Sequence, residues 1–269
     1  MAKNRLDILM VERGLAPSRE KARGLILAGE VRVNGQLLDK PGSSIAEDAE
    51  ITIQTRSGPY VSRGGLKLEK AAQDFEIDFQ DQVVLDVGAS TGGYTDYALQ
   101  HGAGRVYALD VGYGQLDWKL RNDPRVCTME KTNIRYVQPD LLGELADIVT
   151  IDVSFISLNK VFPAVKNLLK PEGLIVCLVK PQFEAGRERV GKKGVVRDAQ
   201  VHCDVLLQCI ADAEKEGLFC QSLTYSPITG PQGNIEFFLL LNRCRPGLAD
   251  RETRVNETVS EAHSTLRRK

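Results

Sequence analysis

Apolar runs alternate with longer mixed segments through most of this chain, and this pattern predicts its secondary structure. The apolar runs predict strands over 83–87, 105–110, 126–129, 147–152, 173–179, 219–224 and 235–241. The segments between them fit helices near 94–101, 114–121, 158–169 and 199–216, and a further helix begins within residues 60–76. Regular alternation of strand and helix predicts an α/β fold with a doubly wound sheet. The last two strands flank a turn-rich stretch, TYSPITGPQGN, which predicts a closing antiparallel hairpin.

Residues 1–54 have a different pattern and predict a small α+β domain. A first helix stops at Gly14, and Ser18 is the N-cap of a second helix that Gly29 closes. The run VRVNGQLL alternates around Asn34-Gly35, which is a hairpin signal, and one more strand follows near Ile51. We predict a linker over 55–62, a second domain over 63–243, and a polar, mobile tail over 244–269 with one short helix at its end.

Composition excludes several classes of protein. The 269 residues carry a net charge of −1, so a surface for nucleic acid must be local. The six cysteines form no C-x-x-C pair or metal-ligand spacing, which favours a reducing cytoplasm and no metal. The N-terminus is too charged for a signal peptide, and no apolar run reaches about 18 residues, so no membrane span is predicted.

The stretch VVLDVGASTGGYTDY, residues 83–97, predicts a ligand site. A strand ends at Asp86, a loop of small residues follows, and then a helix begins, which is the usual arrangement for a nucleotide-like ligand. The next strand ends at Asp110, where a carboxylate can bind both hydroxyls of a ribose. The loop has no phosphate-loop Lys and no G-x-G-x-x-G spacing, so S-adenosylmethionine suits it better than ATP or NAD.

Four charged residues occupy positions where the predicted strands open toward that ligand edge. Asp152 ends DIVTID, Lys180 ends LIVCLVK, Glu236 begins IEFFLLL, and Lys67 lies near the start of the helix before the first strand. Ligands of doubly wound sheets bind at the carboxyl ends of the strands. Each residue alone is an ordinary strand end, but together they predict one polar site.

These segments resemble a known family. SRGGLKL, LDVGASTGGY and the strand ends ID, VKP and IEFF resemble the FtsJ-like ribose methyltransferases, in which a Lys-Asp-Lys-Glu tetrad is catalytic. The resemblance assigns that tetrad to Lys67, Asp152, Lys180 and Glu236. Residues 3–242, including PQFEAGRERVGKKGVVRD, resemble the TlyA family, called haemolysins but acting as ribosomal RNA 2′-O-methyltransferases. A class I methyltransferase fold, S-adenosylmethionine as cofactor, and ribosomal RNA or ribosomal subunits as partner are therefore expected.

The expected chemistry gives each of these residues a role. A ribose 2′-hydroxyl is a poor nucleophile, so Lys180 either orients it or accepts its proton, and the sequence leaves both roles open. The methylated nucleotide, the ribosomal subunit and the oligomeric state are open as well. The candidate cofactor residues are Asp86, Gly88, Ser90, Gly92, Tyr94, Asp110 and Asn133.

Two basic segments are candidates for RNA binding. Residues 3–54, with RLDILMVERGL and SREKARGLILAGEVRVNG, resemble the small RNA-binding domain named after ribosomal protein S4. The loop 182–197 follows Lys180 and has a local charge of 5 − 2 = +3, which also suits RNA. Asp7 lies in an RLD tripeptide that is catalytic in pseudouridine synthases, but its place in the first helix predicts a structural role. The candidate RNA-binding residues are Arg19, Lys21, Arg23, Arg32, Lys40, Arg187, Arg189, Lys192, Lys193 and Arg197.

Two alternatives come from other classes of protein. The G-x-S-x-G at Ser90 matches the nucleophile elbow of α/β-hydrolases, and Asp152 and His202 have the right order for a triad. His202 lies in a predicted helix, however, and no oxyanion segment is present. A membrane-lytic protein, as the word haemolysin suggests, lacks support because no apolar span or long cationic amphipathic helix is evident.

Overall fold

The structure is a computed structural model that describes residues 3–27, 29–53, 58–191 and 194–266. Residues 3–53 contain two short helices and two small antiparallel sheets, in which β1 pairs with β4 and β2 lies between β3 and β5. Their elements are β1 (Lys3–Arg5), α1 (Leu6–Glu12), α2 (Arg19–Leu27), β2 (Val31–Val33), β3 (Gln36–Leu37), β4 (Ser44–Ala46) and β5 (Ile51–Ile53).

This N-terminal unit has its own apolar core, which includes Leu6, Met10 and Ile26, all fully buried. Its turns follow the sequence signals. The Ser18 Oγ accepts a hydrogen bond from the Lys21 backbone N–H at 3.2 Å, as expected of an N-cap. Asn34 and Gly35 have φ values of 50° and 78°, the left-handed conformations that a two-residue hairpin turn requires.

The rest of the chain is built on one seven-stranded sheet. Its order is β11-β12-β10-β9-β6-β7-β8, and β12 is the one strand of this sheet that runs opposite to the other six. The doubly wound sheet with a closing hairpin is thus confirmed. The strands are β6 (Val83–Val87), β7 (Arg105–Leu109), β8 (Val126–Met129), β9 (Ala146–Ile151), β10 (Leu169–Val179), β11 (Phe219–Tyr225) and β12 (Phe237–Asn242).

Helices cover both faces of this sheet because its strands are apolar on both sides. Val84 faces one core with residues of α3 and α4, and Leu85 faces the other with residues of α7 and α9. The helices are α3 (Gly64–Asp74), α4 (Gly93–Gln100), α5 (Trp118–Arg121), α6 (Pro139–Leu142), α7 (Phe162–Leu168), α8 (Pro181–Glu184), α9 (Ala199–Lys215) and α10 (Arg251–Leu266).

Two predicted helices are shorter than expected. In place of a helix over 114–121, α5 begins after Asp117, whose carboxylate accepts the Lys119 N–H at 2.9 Å and caps the helix there. In place of a helix over 158–169, a 3₁₀ turn over 158–160 precedes α7, and Leu169 already belongs to β10.

The C-terminal segment corrects a further prediction. In place of a polar, mobile tail with a short helix, α10 has 16 residues and packs against α9 and β11. Val255, Val259 and Ala262 are buried in the main core. They recur at intervals of four and three residues, which makes a stripe of only one apolar side chain per turn. Because the other residues of the segment are mostly polar, this narrow apolar stripe was not recognised in the sequence.

Candidate active site

A cavity of about 760 Å³ opens at the carboxyl edge of β6, β9 and β10. These three strands are adjacent and parallel, so the residues that follow them meet at one place. Asp152 follows β9, and its backbone N–H donates to the Val87 carbonyl at 2.9 Å. Lys180 follows β10 and is the first residue before α8. The loop 39–43 of the N-terminal unit also lines the cavity, which therefore lies between the two parts of the chain.

The four predicted charged residues come together in this cavity as two ion pairs. Lys67 Nζ lies 2.6 Å from Glu236 Oε2, and Lys180 Nζ lies 2.5 Å from Asp152 Oδ1. The pairs are linked because Lys67 Nζ is also 3.8 Å from Asp152 Oδ2. Lys180 donates a further hydrogen bond to Ser154 Oγ at 2.9 Å.

Burial and charge compete in these ion pairs. Burial alone would raise the pKa of Asp152, but the ammonium groups of Lys180 and Lys67 outweigh it and hold that pKa below its usual value. Burial alone would lower the pKa of Lys67, but the carboxylates of Glu236 and Asp152 outweigh it and raise that pKa. The site therefore keeps Asp152 ionised and Lys67 protonated near neutral pH.

A buried carboxylate oxygen and a buried amide oxygen at the cavity lack a donor within the described part of the chain. They are Glu236 Oε1 and Gln182 Oε1, and both residues line the cavity. Buried polar atoms almost always have a hydrogen-bond partner in folded proteins. A cavity that combines such atoms with four charges is built to bind a polar ligand.

The loop after β6 passes close to the end of β9. Gly88 has a φ of 89°, and a Cβ there would lie 2.5 Å from the Asp152 carbonyl oxygen, so only glycine fits. Asp86 accepts hydrogen bonds from the Thr95 backbone and hydroxyl at 3.0 and 2.7 Å, and from the Thr150 hydroxyl at 3.1 Å. Burial raises the pKa of Asp86 to about 7, although these hydrogen bonds act to lower it. Asp86 thus holds the start of α4 against the sheet.

Of the other candidate cofactor residues, some line the cavity and the rest lie outside its lining. Ser90 and Tyr94 line the cavity with Gly88. Asp110 lies beside the loop, where its carboxylate accepts the Ser90 N–H at 2.8 Å and the Gly112 N–H at 2.7 Å. Gly92 approaches Leu116 and Leu120 rather than the cavity. Asn133 caps a 3₁₀ turn by accepting the Arg135 N–H at 3.1 Å.

The candidate RNA-binding residues of the N-terminal unit are spread over its surface. Lys40 lines the cavity, and Lys21 lines a second cleft of about 470 Å³ that faces Trp118 of α5. Arg23 is exposed. Arg32 donates to the Gly35 carbonyl at 3.0 Å. Arg19 donates to Asp7 at 2.8 Å and therefore also has a structural role.

The candidate loop 182–197 is described in part. Arg187 and Arg197 are exposed, and Arg189 forms an ion pair with Asp204 of α9. Lys192 and Lys193 lie outside the described residues.

The structure adds an aromatic pair that the sequence analysis missed. Phe155 lines the cavity, is 85% exposed and has a φ of 65°, which is unusual for a residue with a side chain. Its ring centroid lies 5.0 Å from that of Phe183, which also lines the cavity. The sequence feature that could have indicated Phe155 is its place three residues after Asp152, the acid at the end of a strand.

The geometry does not support the alternative classes. His202 is fully buried in α9, where its Nδ1 lies 2.8 Å from His263 Nε2, so it forms no triad with Ser90. No helix in the described ranges is long and apolar enough to cross a bilayer. The same residues contain no cluster of three or more metal-ligating side chains.

Comparison with known proteins gives consistent matches over the whole chain. Residues 60–243 match the family model described as FtsJ-like methyltransferase, and residues 4–51 match the S4 domain. YqxC of Bacillus subtilis is 52% identical, with 99% of this chain and 96% of that protein covered. The 16S/23S rRNA (cytidine-2′-O)-methyltransferase TlyA of Mycobacterium tuberculosis is 45% identical, with coverages of 88% and 89%. A hemolysin-named structure from Streptococcus thermophilus is 45% identical, with coverages of 100% and 98% and a TM-score of 0.77.

Proposed function

Because this chain belongs to the FtsJ-like methyltransferase family and carries an S4 domain, we propose that it methylates a ribose 2′-hydroxyl of ribosomal RNA. The methyl donor is S-adenosylmethionine. The observation that supports this proposal best is the meeting of Lys67, Asp152, Lys180 and Glu236 in one cavity beside the glycine loop. The TlyA relative is named for cytidine, and we extend that substrate class to this chain.

The residues around the loop fit the proposed cofactor. Gly88 packs against the end of β9 and also lines the cavity, so a ligand can lie against the backbone of the loop. We assign Gly88, Ser90 and Tyr94 to the methionine part, Asp110 to the ribose hydroxyls, and Asn133 to the adenine. Asp86 and Gly92 act through the shape of the loop. When bound, S-adenosylmethionine supplies an electrophilic methyl group on a sulfonium ion.

The charged residues then position and polarise the nucleophile. Lys180 donates a hydrogen bond to the 2′-hydroxyl, and Asp152 and Ser154 fix the direction of its ammonium group. Lys67, held by Glu236, adds a second positive charge beside the first pair. Two ammonium groups in a buried site stabilise the negative charge that the attacking oxygen acquires as its proton passes to water. The carboxylates offset part of the desolvation cost of burying these cations.

RNA reaches this cavity from two sides in the proposal. The S4 domain presents Lys21, Arg23 and Lys40, which contact phosphates and orient the substrate. Phe155 presents an exposed ring at the cavity, and stacking of a base on such a ring is worth roughly 1–3 kcal/mol. The reaction is placed in the cytoplasm, where ribosomes are assembled.

Transfer of tritium tests this proposal. The purified chain and tritiated S-adenosylmethionine are incubated together with one unmodified ribosomal subunit, and the incubation is repeated with the other subunit. The expected result is saturable label in the RNA of at least one subunit, with one methyl group per particle. Leakage of dye from lipid vesicles, with no label in either subunit, would instead support a membrane-lytic protein.

A further inference from the structure

Gln182 is an amide of the cavity whose buried carbonyl oxygen is left without a donor in the described ranges. An unsatisfied buried carbonyl is costly, and the loss is recovered when a ligand or a water molecule donates to it. Asn234 lines the same cavity but is engaged: its Oδ1 accepts the Val196 N–H at 3.0 Å, and its Nδ2 donates to the Gly194 carbonyl at 2.9 Å. The Asn234 amide thus has a structural role, whereas the Gln182 oxygen is left for a ligand.

The position of Gln182 indicates which part of the substrate it meets. It lies in α8 between Lys180, which holds the proposed 2′-hydroxyl, and Phe183, which packs against the exposed ring of Phe155. A nucleotide whose hydroxyl is at Lys180 and whose base stacks on Phe155 presents the edge of that base between them. The amide is thus placed toward the base rather than the ribose.

We infer that Gln182 reads the exocyclic amino group of the target base and so determines base specificity. This inference rests on the proposed function. A carbonyl oxygen accepts from the N4 amino group of cytosine, whereas uracil has a carbonyl oxygen at that position. The amide nitrogen of Gln182 can donate to cytosine N3 at the same time, because the two groups have the same spacing. With Oε1 facing the 4-position of the base, uracil presents its O4 carbonyl there in place of the amino group, and Oε1 is left without a donor.

The experiment compares two substrates. Ribosomal subunits are prepared with cytidine or with uridine at the methylated position, and kcat/KM is measured for each. The wild-type chain is expected to prefer cytidine by roughly tenfold to a hundredfold, as expected for loss of one good base contact. Gln182→Met keeps the length of the side chain and removes the acceptor, so it should reduce the preference to less than about threefold. Gln182→Glu keeps an acceptor and should retain a preference for cytidine.

Controls separate this inference from the proposed function. Gln208→Met changes an exposed amide on α9, which is bonded to Asp212, and should leave the preference unchanged. Binding of S-adenosylmethionine should be the same in all variants, which shows that they are folded. If Gln182→Met keeps the wild-type preference, or if the wild-type chain methylates both substrates equally, the inference is wrong while the proposed function stands. If no subunit is methylated by the wild-type chain, the proposed function itself fails.

Discussion

The four charged residues of the site can remain charged while buried because each one has a partner of opposite charge. Each ammonium lies within hydrogen-bond distance of a carboxylate, so removal of one partner leaves an uncompensated charge in the cavity. Glu236 is fully buried and Lys67 and Lys180 nearly so, which makes these interactions stronger than surface ion pairs. These buried ion pairs are therefore better explained by a role in function than by a contribution to folding stability.

Lys180→Ala should abolish methyl transfer and leave cofactor binding intact. Its ammonium is the group that Asp152 and Ser154 orient, and the glycine loop does not depend on it. Lys180→Arg should fail as well, because a guanidinium has a different donor geometry from an ammonium group. Tritium transfer measures the loss of methyl transfer, and calorimetry measures the binding of the cofactor. Activity above about a tenth of wild type in either variant would contradict a central role for Lys180.

Asp110→Ala should weaken S-adenosylmethionine binding by about 1–3 kcal/mol through loss of charge-assisted hydrogen bonds. The same carboxylate orders the Ser90 and Gly112 backbone, so loop geometry contributes to the loss. Calorimetry with the free cofactor measures the change. Asp117→Ala is a matched control, because Asp117 caps α5. Unchanged affinity in Asp110→Ala would remove this residue from the cofactor site.

Asp7→Asn should destabilise the N-terminal unit in a pH-dependent way. Burial alone would raise the pKa of Asp7, but hydrogen bonds from Arg5 and Arg19 outweigh it and lower the pKa to about 2. A lowered pKa gives stability that is present above the unfolded value near 4 and is lost as the pH falls toward 2. Urea unfolding should show a loss at pH 7 that disappears near pH 2. A loss independent of pH would contradict this ion-pair account.

At the scale of secondary structure, what could be predicted depended on how strongly each element is patterned. The central strands are apolar on both faces, so their positions follow from the sequence nearly to the residue. The strand ends then bring Asp152 and Lys180 together, because parallel neighbours end at the same edge. Local features were predicted less well: α5 begins only after its cap at Asp117, so its predicted start was wrong, and the positive φ of Phe155 was not predicted.

The helix α10 should contribute to stability although its composition is polar. Val255 and Val259 are buried against α9 and β11, so Val255→Ala and Val259→Ala should each cost about 1–2 kcal/mol. Denaturant unfolding measures this cost. Glu257→Ala on the exposed face of α10 is the control and should change stability little. Equal stability of the valine variants and wild type would mean that α10 is not docked in solution.

At the scale of the whole molecule, the proposed function divides RNA binding and chemistry between two units that meet at one cavity. The N-terminal unit has its own core, and its loop 39–43 lines the cavity that holds the four charged residues. In the proposed function, a substrate bound by the S4 domain therefore lies next to the edge where the strands end. The sequence indicated both units by resemblance, but their contact at the cavity required the structure.

Reversing charge on α2 should weaken substrate binding without changing the chemistry. Lys21→Glu with Arg23→Glu alters two exposed cations, so KM for ribosomal subunits should rise and the salt dependence of binding should become shallower. S-adenosylmethionine affinity should not change. A matched double variant, Lys215→Glu with Arg254→Glu, alters exposed cations on α9 and α10 and should behave like wild type. A salt dependence as steep as that of wild type in the α2 variant would exclude α2 from RNA binding.

The position of the transferred methyl group tests the central claim most directly. Ribosomal RNA labelled by the wild-type chain is hydrolysed in alkali, which cleaves every linkage except those that follow a 2′-O-methylated ribose, and the products are identified by mass spectrometry. The account predicts that the label lies in a single alkali-resistant dinucleotide with the methyl group on its ribose. Label on a base, in mononucleotides, would contradict it.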